Sequence, residues 1–186
     1  MKIEITVADI GDYHNERMKE IKTKMLKHKG KSDEEIAKII KKEFGEVSGA
    51  DAICACAAGA YRVAKLGISK VWGDEIPERS DIKIISRIPT MGSLQCFQYI
   101  TGTGPKVPDV TNKGEFRMIL LDGTEVTDFS IKNVKPRSKD MDASYWNCVF
   151  IRKSTGEQFE VQVKDDALPE GFYELRKRWN SASQRW

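Results

Sequence analysis

Beyond the loop TGTGPKVPD at residues 101–109 the hydrophobic period of this chain changes. Before the loop, apolar residues recur mostly at the three- and four-residue spacing of amphipathic helices; after it they alternate, as on half-buried strands. Helices that come mostly first and strands that come mostly second point to an α+β fold, with N-terminal helices and a core of helices packed on a mainly antiparallel sheet.

The individual elements follow from local signals. IEITV reads as a short opening strand, and Tyr13 to His28 as a basic helix with Met18, Ile21, Met25 and Leu26 on one face, ended by Gly30. Ser32 and Glu35 form a capping box for a second helix, striped by Ile36, Ile39, Ile40 and Phe44 and closed by Gly45. Ser48 caps a third helix that runs to Leu66, with Gly67 as its terminator. The strand IKIISRI and the helix MGSLQCFQYIT, closed by Gly102, complete the first part. EFRMILL, TEVTDFSI, YWNCVFIRK and EQFEVQV are strands. LLDGTE reads as a type I′ hairpin and KSTGE as a looser one. Residues 135–144 read as a mobile loop, Pro169 to Asn180 as a last helix carrying Phe172, Leu175 and Trp179, and SASQRW as a frayed tail.

Charge and composition exclude several classes. The 186 residues carry 31 basic and 28 acidic side chains, a net +3. Lysines crowd residues 19–42, but Glu16, Glu20, Asp33, Glu34, Glu35 and Glu43 sit among them, as on solvated helix faces and unlike a nucleic-acid arm. The apolar run 52–60 is too short to span a bilayer, and Glu4 and Asp9 interrupt any signal-peptide core. The expectation is a cytoplasmic protein with no membrane or nucleic-acid partner. The four cysteines, Cys54, Cys56, Cys96 and Cys148, contain no C-x-x-C pair, which speaks against a zinc finger and for buried thiols.

On an uninterrupted helix from Ser48, Cys54 shares a face with Ala58, Tyr61 and Lys65, and Cys56 lies about 200° away, packed in the core. The two then cannot bind one ion. Cys96 lies on another helix and would face Cys54, so two thiolates can supply half of a tetrahedral site, with His14, an acidic side chain or water completing it. Alternatively Cys54 is a nucleophile, activated by the helix start, His14 or Arg62. PTMGS and TGTGP have the composition of anion-binding loops, but turns use the same residues.

GAYRVAKLGI, SRIPTMGSLQCFQYITGTG and FIRKSTGEQFEVQVKDDALPEGFYELRKR resemble the E-type subunit family of formylmethanofuran dehydrogenase over roughly residues 48–180. The family's first motif reads H-G-H-x-C-P-G followed by G-Y-R. Cys54 falls on its cysteine and Tyr61 and Arg62 match, while Ala50 and Ala52 replace the histidines, Ala55 the proline and Ala60 the glycine. The second motif resembles S-C-G-x-D-A-I-Q-x-x-T-G-C. Gln98, Thr101 and Gly102 match, whereas Gly92 stands for the first cysteine, Gln95 for the aspartate and Thr103 for the last cysteine. The resemblance implies a 48–186 α+β core without the C-terminal zinc finger some members add, carrying residues 1–47 as a packed helical segment of one domain. It also implies a homodimer serving oxidoreductase subunits in C1 or molybdenum/tungsten metabolism. Zinc or another transition metal would sit at Cys54, with Cys96 supplying a second thiol from the helical turn after Gly92. Tyr61, Arg62 and Gln98 become the ligand-binding candidates, Arg62 through bidentate pairing with a carboxylate or phosphate. Two other function classes stay open. One is an enzyme using Cys54 or a small molecule in a cleft lined by Ala50, Ala52, Ala55, Ala57 and Ala58; the other is a binding module whose metal site is lost.

Overall fold

The computed structural model describes residues 4–108, 111–139, 141–167, 170–174 and 178. Its first helix, α1, spans Val7–His28. The predicted strand IEITV does not form. Thr6 and Asp9 make a capping box, with Thr6 N donating to the Asp9 carboxylate at 2.7 Å and Asp9 N donating to Thr6 Oγ1 at 3.3 Å. Two satisfied N–H groups outweigh the strand preference of Ile5, Thr6 and Val7, and the helix starts six residues before Tyr13. Helix α2, Asp33–Phe44, has the predicted Ser32–Glu35 box, a buried Ile36 and Gly45 at φ +49°.

Residues 49–52 form a single 3₁₀ turn, and α3 runs Ala55–Trp72 with Cys54 as its N-cap and Gly73 as its terminator. Gly67 therefore lies inside α3 and does not end it. A glycine there serves contact: a methyl group on Gly67 would stand 2.0 Å from Phe150 Cδ2. Gly67→Ala should gain about 1 kcal/mol of helix propensity and lose about 3 kcal/mol to overpacking. A net loss near 2 kcal/mol corresponds to a melting temperature about 4–8 °C lower. An unchanged or raised value in thermal denaturation would contradict this contact.

Strand β1 (Ile82–Ser86) leads through the extended residue Thr90 into α4 (Met91–Thr101), ended by Gly102 in the left-handed conformation at φ +71°. Then come β2 (Glu115–Ile119), β3 (Glu125–Val126), α5 (Ile131–Arg137), β4 (Asn147–Arg152) and β5 (Gln158–Gln162). The sheet order is β3-β2-β1-β4-β5. Only β1–β2 is parallel, because α4 crosses between them; the other three pairings are antiparallel.

Three local expectations are corrected. The β2–β3 turn is not type I′: Gly123 N donates to Leu120 O at 3.0 Å and only Gly123 takes positive φ, which is a type I turn closed by a left-handed glycine. TEVTDFSI is a strand for two residues only. Asp128 then accepts from Ser130 N at 2.8 Å and Ser130 Oγ at 3.0 Å, turning the chain toward α5. The predicted mobile loop 135–144 begins inside α5 and buries Ser138, Met141 and Ala143. Of the predicted last helix, Pro169, Leu175 and Trp179 lie outside the described residues, as does SASQRW; Phe172 packs against the core.

One face of the sheet holds Ile82, Ile84, Phe116, Met118, Cys148, Phe150 and Val161, all buried beneath α3 and α4. Phe97 of α4 is the centre of this layer: its ring stacks with Phe116 at 5.9 Å and meets Phe150 edge-on at 6.5 Å. The helices are thereby fixed with their N-termini at one end of the sheet layer, where the candidate site lies.

Candidate functional site

The site begins with two glycines. Gly11 of α1 approaches the backbone of Gly49 so closely that a methyl group on it would stand 1.9 Å from Gly49 O. Gly49 takes φ +58° and donates its N–H to Asp12 Oδ1. This clasp holds residues 49–52 in a 3₁₀ turn against α1, so the α-helix cannot start at Ser48. It starts at Ala55, after Cys54 in extended conformation at φ −80° and ψ 158°.

Cys54 thus occupies a different position from the one the helical wheel assigns. As N-cap, its Sγ accepts from Ala57 N at 3.4 Å. Cys56 is in the first turn and is half-buried, not a core residue. Gly92, in the first turn of α4, faces both: a methyl group there would lie 2.5 Å from Cys54 Sγ, 2.9 Å from Ala57 N and 3.2 Å from Cys56 Cβ. Ser93 Oγ donates to Cys56 O at 3.2 Å, and Thr90 Oγ1 donates to Ser93 Oγ at 2.8 Å. The first turns of α3 and α4 therefore meet at the Cys54 sulfur, and the Ala57 N–H at the start of α3 is donated to it.

Cys96 lies behind this junction, fully buried on α4. Burial, then the charges of Cys148 and Cys54, push its thiol well above the ordinary value of 9. Cys148 is pushed up to about 12 by burial, although its contact with Ser86 Oγ works the other way. Tyr61, on α3, is half-buried and donates its OH to Ile5 O at 3.1 Å. Burial raises its pKa, and Cys96 adds to the rise, so Cys54, Cys96 and Tyr61 share one neighbourhood.

The other candidates stand apart. Arg62 follows Tyr61 on the exposed face of α3. Gln98 is buried further along α4, beside Gly104, where a methyl would meet Gln98 Cβ at 3.1 Å and Tyr13 OH at 2.2 Å. His14 is buried on α1 with Nδ1 2.6 Å from Gln95 Oε1. An amide oxygen only accepts, so Nδ1 donates, and the neutral ring keeps its lone pair on Nε2. The five alanines do not line one cleft: Ala57 is in the core, Ala50 and Ala55 are exposed, and Ala52 and Ala58 are half-buried. Among the described residues no three His, Cys, Asp or Glu side chains are grouped so as to hold a metal ion.

Burial lowers the His14 pKa below 6.5, against the opposing effect of the hydrogen bond that His14 donates to Gln95. The unfolded chain then binds a proton that the folded chain refuses. The stability from His14 is complete above pH 6.5 and is lost as the pH falls through the lowered folded value. Melting temperature measured from about pH 8 down to pH 5 should decline below the ordinary histidine range, and His14→Gln should weaken that decline. An identical pH profile in the variant would contradict the buried neutral ring.

The resemblance singles out the positions of Gly92 and Gln95, but no sequence pattern reveals that Gln95 pairs with His14 or where Cys56 lies. A spacing of 81 residues separates His14 from Gln95, and no local pattern links them. No helix among the described residues is long and apolar enough to cross a membrane. No family model, no curated protein and no solved structure matches the chain.

Proposed function

We propose that this chain is an accessory protein like the E-type subunit of formylmethanofuran dehydrogenase, serving oxidoreductase subunits of C1 or molybdenum/tungsten metabolism, with its ligand site at the junction of the α3 and α4 N-termini. One observation carries the reading. The two stretches on which the resemblance rests, around Cys54 and around Gly92, come together, with the Gly92 backbone facing the Cys54 sulfur. In this reading Cys54 is the primary donor and Cys96 the second sulfur for zinc or another transition metal. The chemistry suits a soft borderline ion, since both donors are thiols. Two thiolates are half of a tetrahedral set, so water or an exogenous ligand would complete it. His14, bonded through Nδ1 to Gln95, stands apart from the two thiols and does not complete the set.

A bound metal would supply Lewis acidity or a fixed attachment point; this chain's own residues supply the thiols, with Tyr61 tied to Ile5 beside them. The proposal includes a cytoplasmic homodimer. The sheet face turned away from α3 and α4 supports it, with half-buried Ile85, Val149 and Ile151 side by side on β1 and β4. The test is metal content per monomer of untagged protein purified without chelator. Close to one equivalent in the wild type and a loss of most of it in Cys54→Ala is the expected result. Equal metal in both proteins would overturn the assignment to Cys54. No metal after reconstitution would favour a binding module without a metal.

A further inference from the structure

We propose that Cys54 and Cys56 form a dithiol–disulfide couple, a redox pair that shares Cys54 with the thiol pair put forward for metal. The geometry of the α3 start carries it. Ala55 has helical backbone angles, and helix dimensions then place the Cys54 and Cys56 Cα atoms about 5.4 Å apart. Disulfides most often bridge Cα separations of about 5.5–6 Å. Both side chains are half-buried and border the same point, the missing methyl of Gly92, which lies 2.5 Å from Cys54 Sγ and 3.2 Å from Cys56 Cβ. With no side chain at Gly92, the Cys54 sulfur and the Cys56 Cβ both border that gap, along with the Ala57 backbone nitrogen. A helix that began at Ser48 would have turned the two thiols apart; the 3₁₀ turn at 49–52 keeps them at one helix end.

The partner class is a low-molecular-weight disulfide, RSSR. The Cys54 thiolate, accepting from the Ala57 N–H at the start of α3, attacks one sulfur of RSSR. The R–S–S–R bond breaks, RS⁻ leaves and takes up a proton, and Cys54 carries the mixed disulfide. Cys56 loses its proton and attacks the Cys54 sulfur. The second RS⁻ leaves and is protonated, and the Cys54–Cys56 bond forms. Two protein thiols have given up two electrons and two protons, and RSSR has become two RSH. Cys96 and Cys148 take no part, being fully buried.

The experiment uses the metal-free wild-type protein in EDTA, so its outcome does not depend on whether Cys54 holds a metal. Protein is equilibrated with mixtures of reduced and oxidised glutathione, remaining thiols are alkylated, and tryptic peptides are weighed. Cys54 and Cys56 share the peptide 43–62, which has no internal Lys or Arg. As the oxidised fraction rises, that peptide should lose two hydrogens and both alkylation sites together, reversibly. Cys56→Ala should instead accumulate glutathione on Cys54. A wild-type peptide that takes two alkyl groups at every ratio would overturn the proposal. So would one that retains glutathione on Cys54, or a crosslink from Cys54 to Cys96.

Discussion

Phe97→Ala should lower the unfolding free energy by about 3–5 kcal/mol, seen as a lower urea midpoint at unchanged slope. The side chain is fully buried between α4 and the sheet, and it touches the rings of both Phe116 and Phe150. Removing it forfeits the transfer energy of the ring and leaves a cavity bounded by β1, β2 and β4, which the paired strands cannot collapse around. Against a total of about 5–15 kcal/mol for a natural domain, the loss takes a large fraction of the stability. A loss below about 1 kcal/mol would mean that α4 does not rest on the sheet through this ring.

Gly11→Ala should cost about 2–3 kcal/mol net, a loss from overpacking set against a gain of about 1 kcal/mol in helix propensity. Its methyl would stand 1.9 Å from Gly49 O and 2.9 Å from Gly49 C, both backbone atoms that no rotamer change can move. The clasp between α1 and the 3₁₀ turn must open, and the effect reaches the site because that turn delivers Cys54 as N-cap. Alkylation of Cys54 by iodoacetamide should therefore speed up in the variant, while Cys148 stays unreactive. Unaltered stability with unaltered Cys54 reactivity would contradict the clasp.

The parts of this fold that were legible in the sequence are those coded within one turn of chain. Ser32 with Glu35 marked α2, Gly102 closed α4, and alternation marked β1, β2, β4 and β5. What escaped depended on distant partners. Gly67 resembles a terminator until Phe150 is set against it, 83 residues on. Cys54 belongs to a continuous helix until Gly11 holds residues 49–52 in a different turn. The Thr6–Asp9 box is a local signal too, masked in the sequence by the strand-forming Ile5, Thr6 and Val7 but decisive in the fold. In the site, a pairing of Cys54 with Cys96 from another helix was expected from the sequence. The buried His14–Gln95 pair was not, because it follows from how α1 lies against α4.

If Cys54 and the buried Cys96 act together as sulfur donors, metal binding must draw a proton out of the protein interior. Zinc titrated calorimetrically into reduced, metal-free protein at pH 7, in two buffers of different ionisation enthalpy, counts the protons released per ion bound. Burial holds the Cys96 thiol protonated, so its recruitment must release at least one proton per zinc, at a stoichiometry near one per monomer. That release is the expected result. Zinc binding without proton release, or no binding at all, would overturn the pairing of the two thiols.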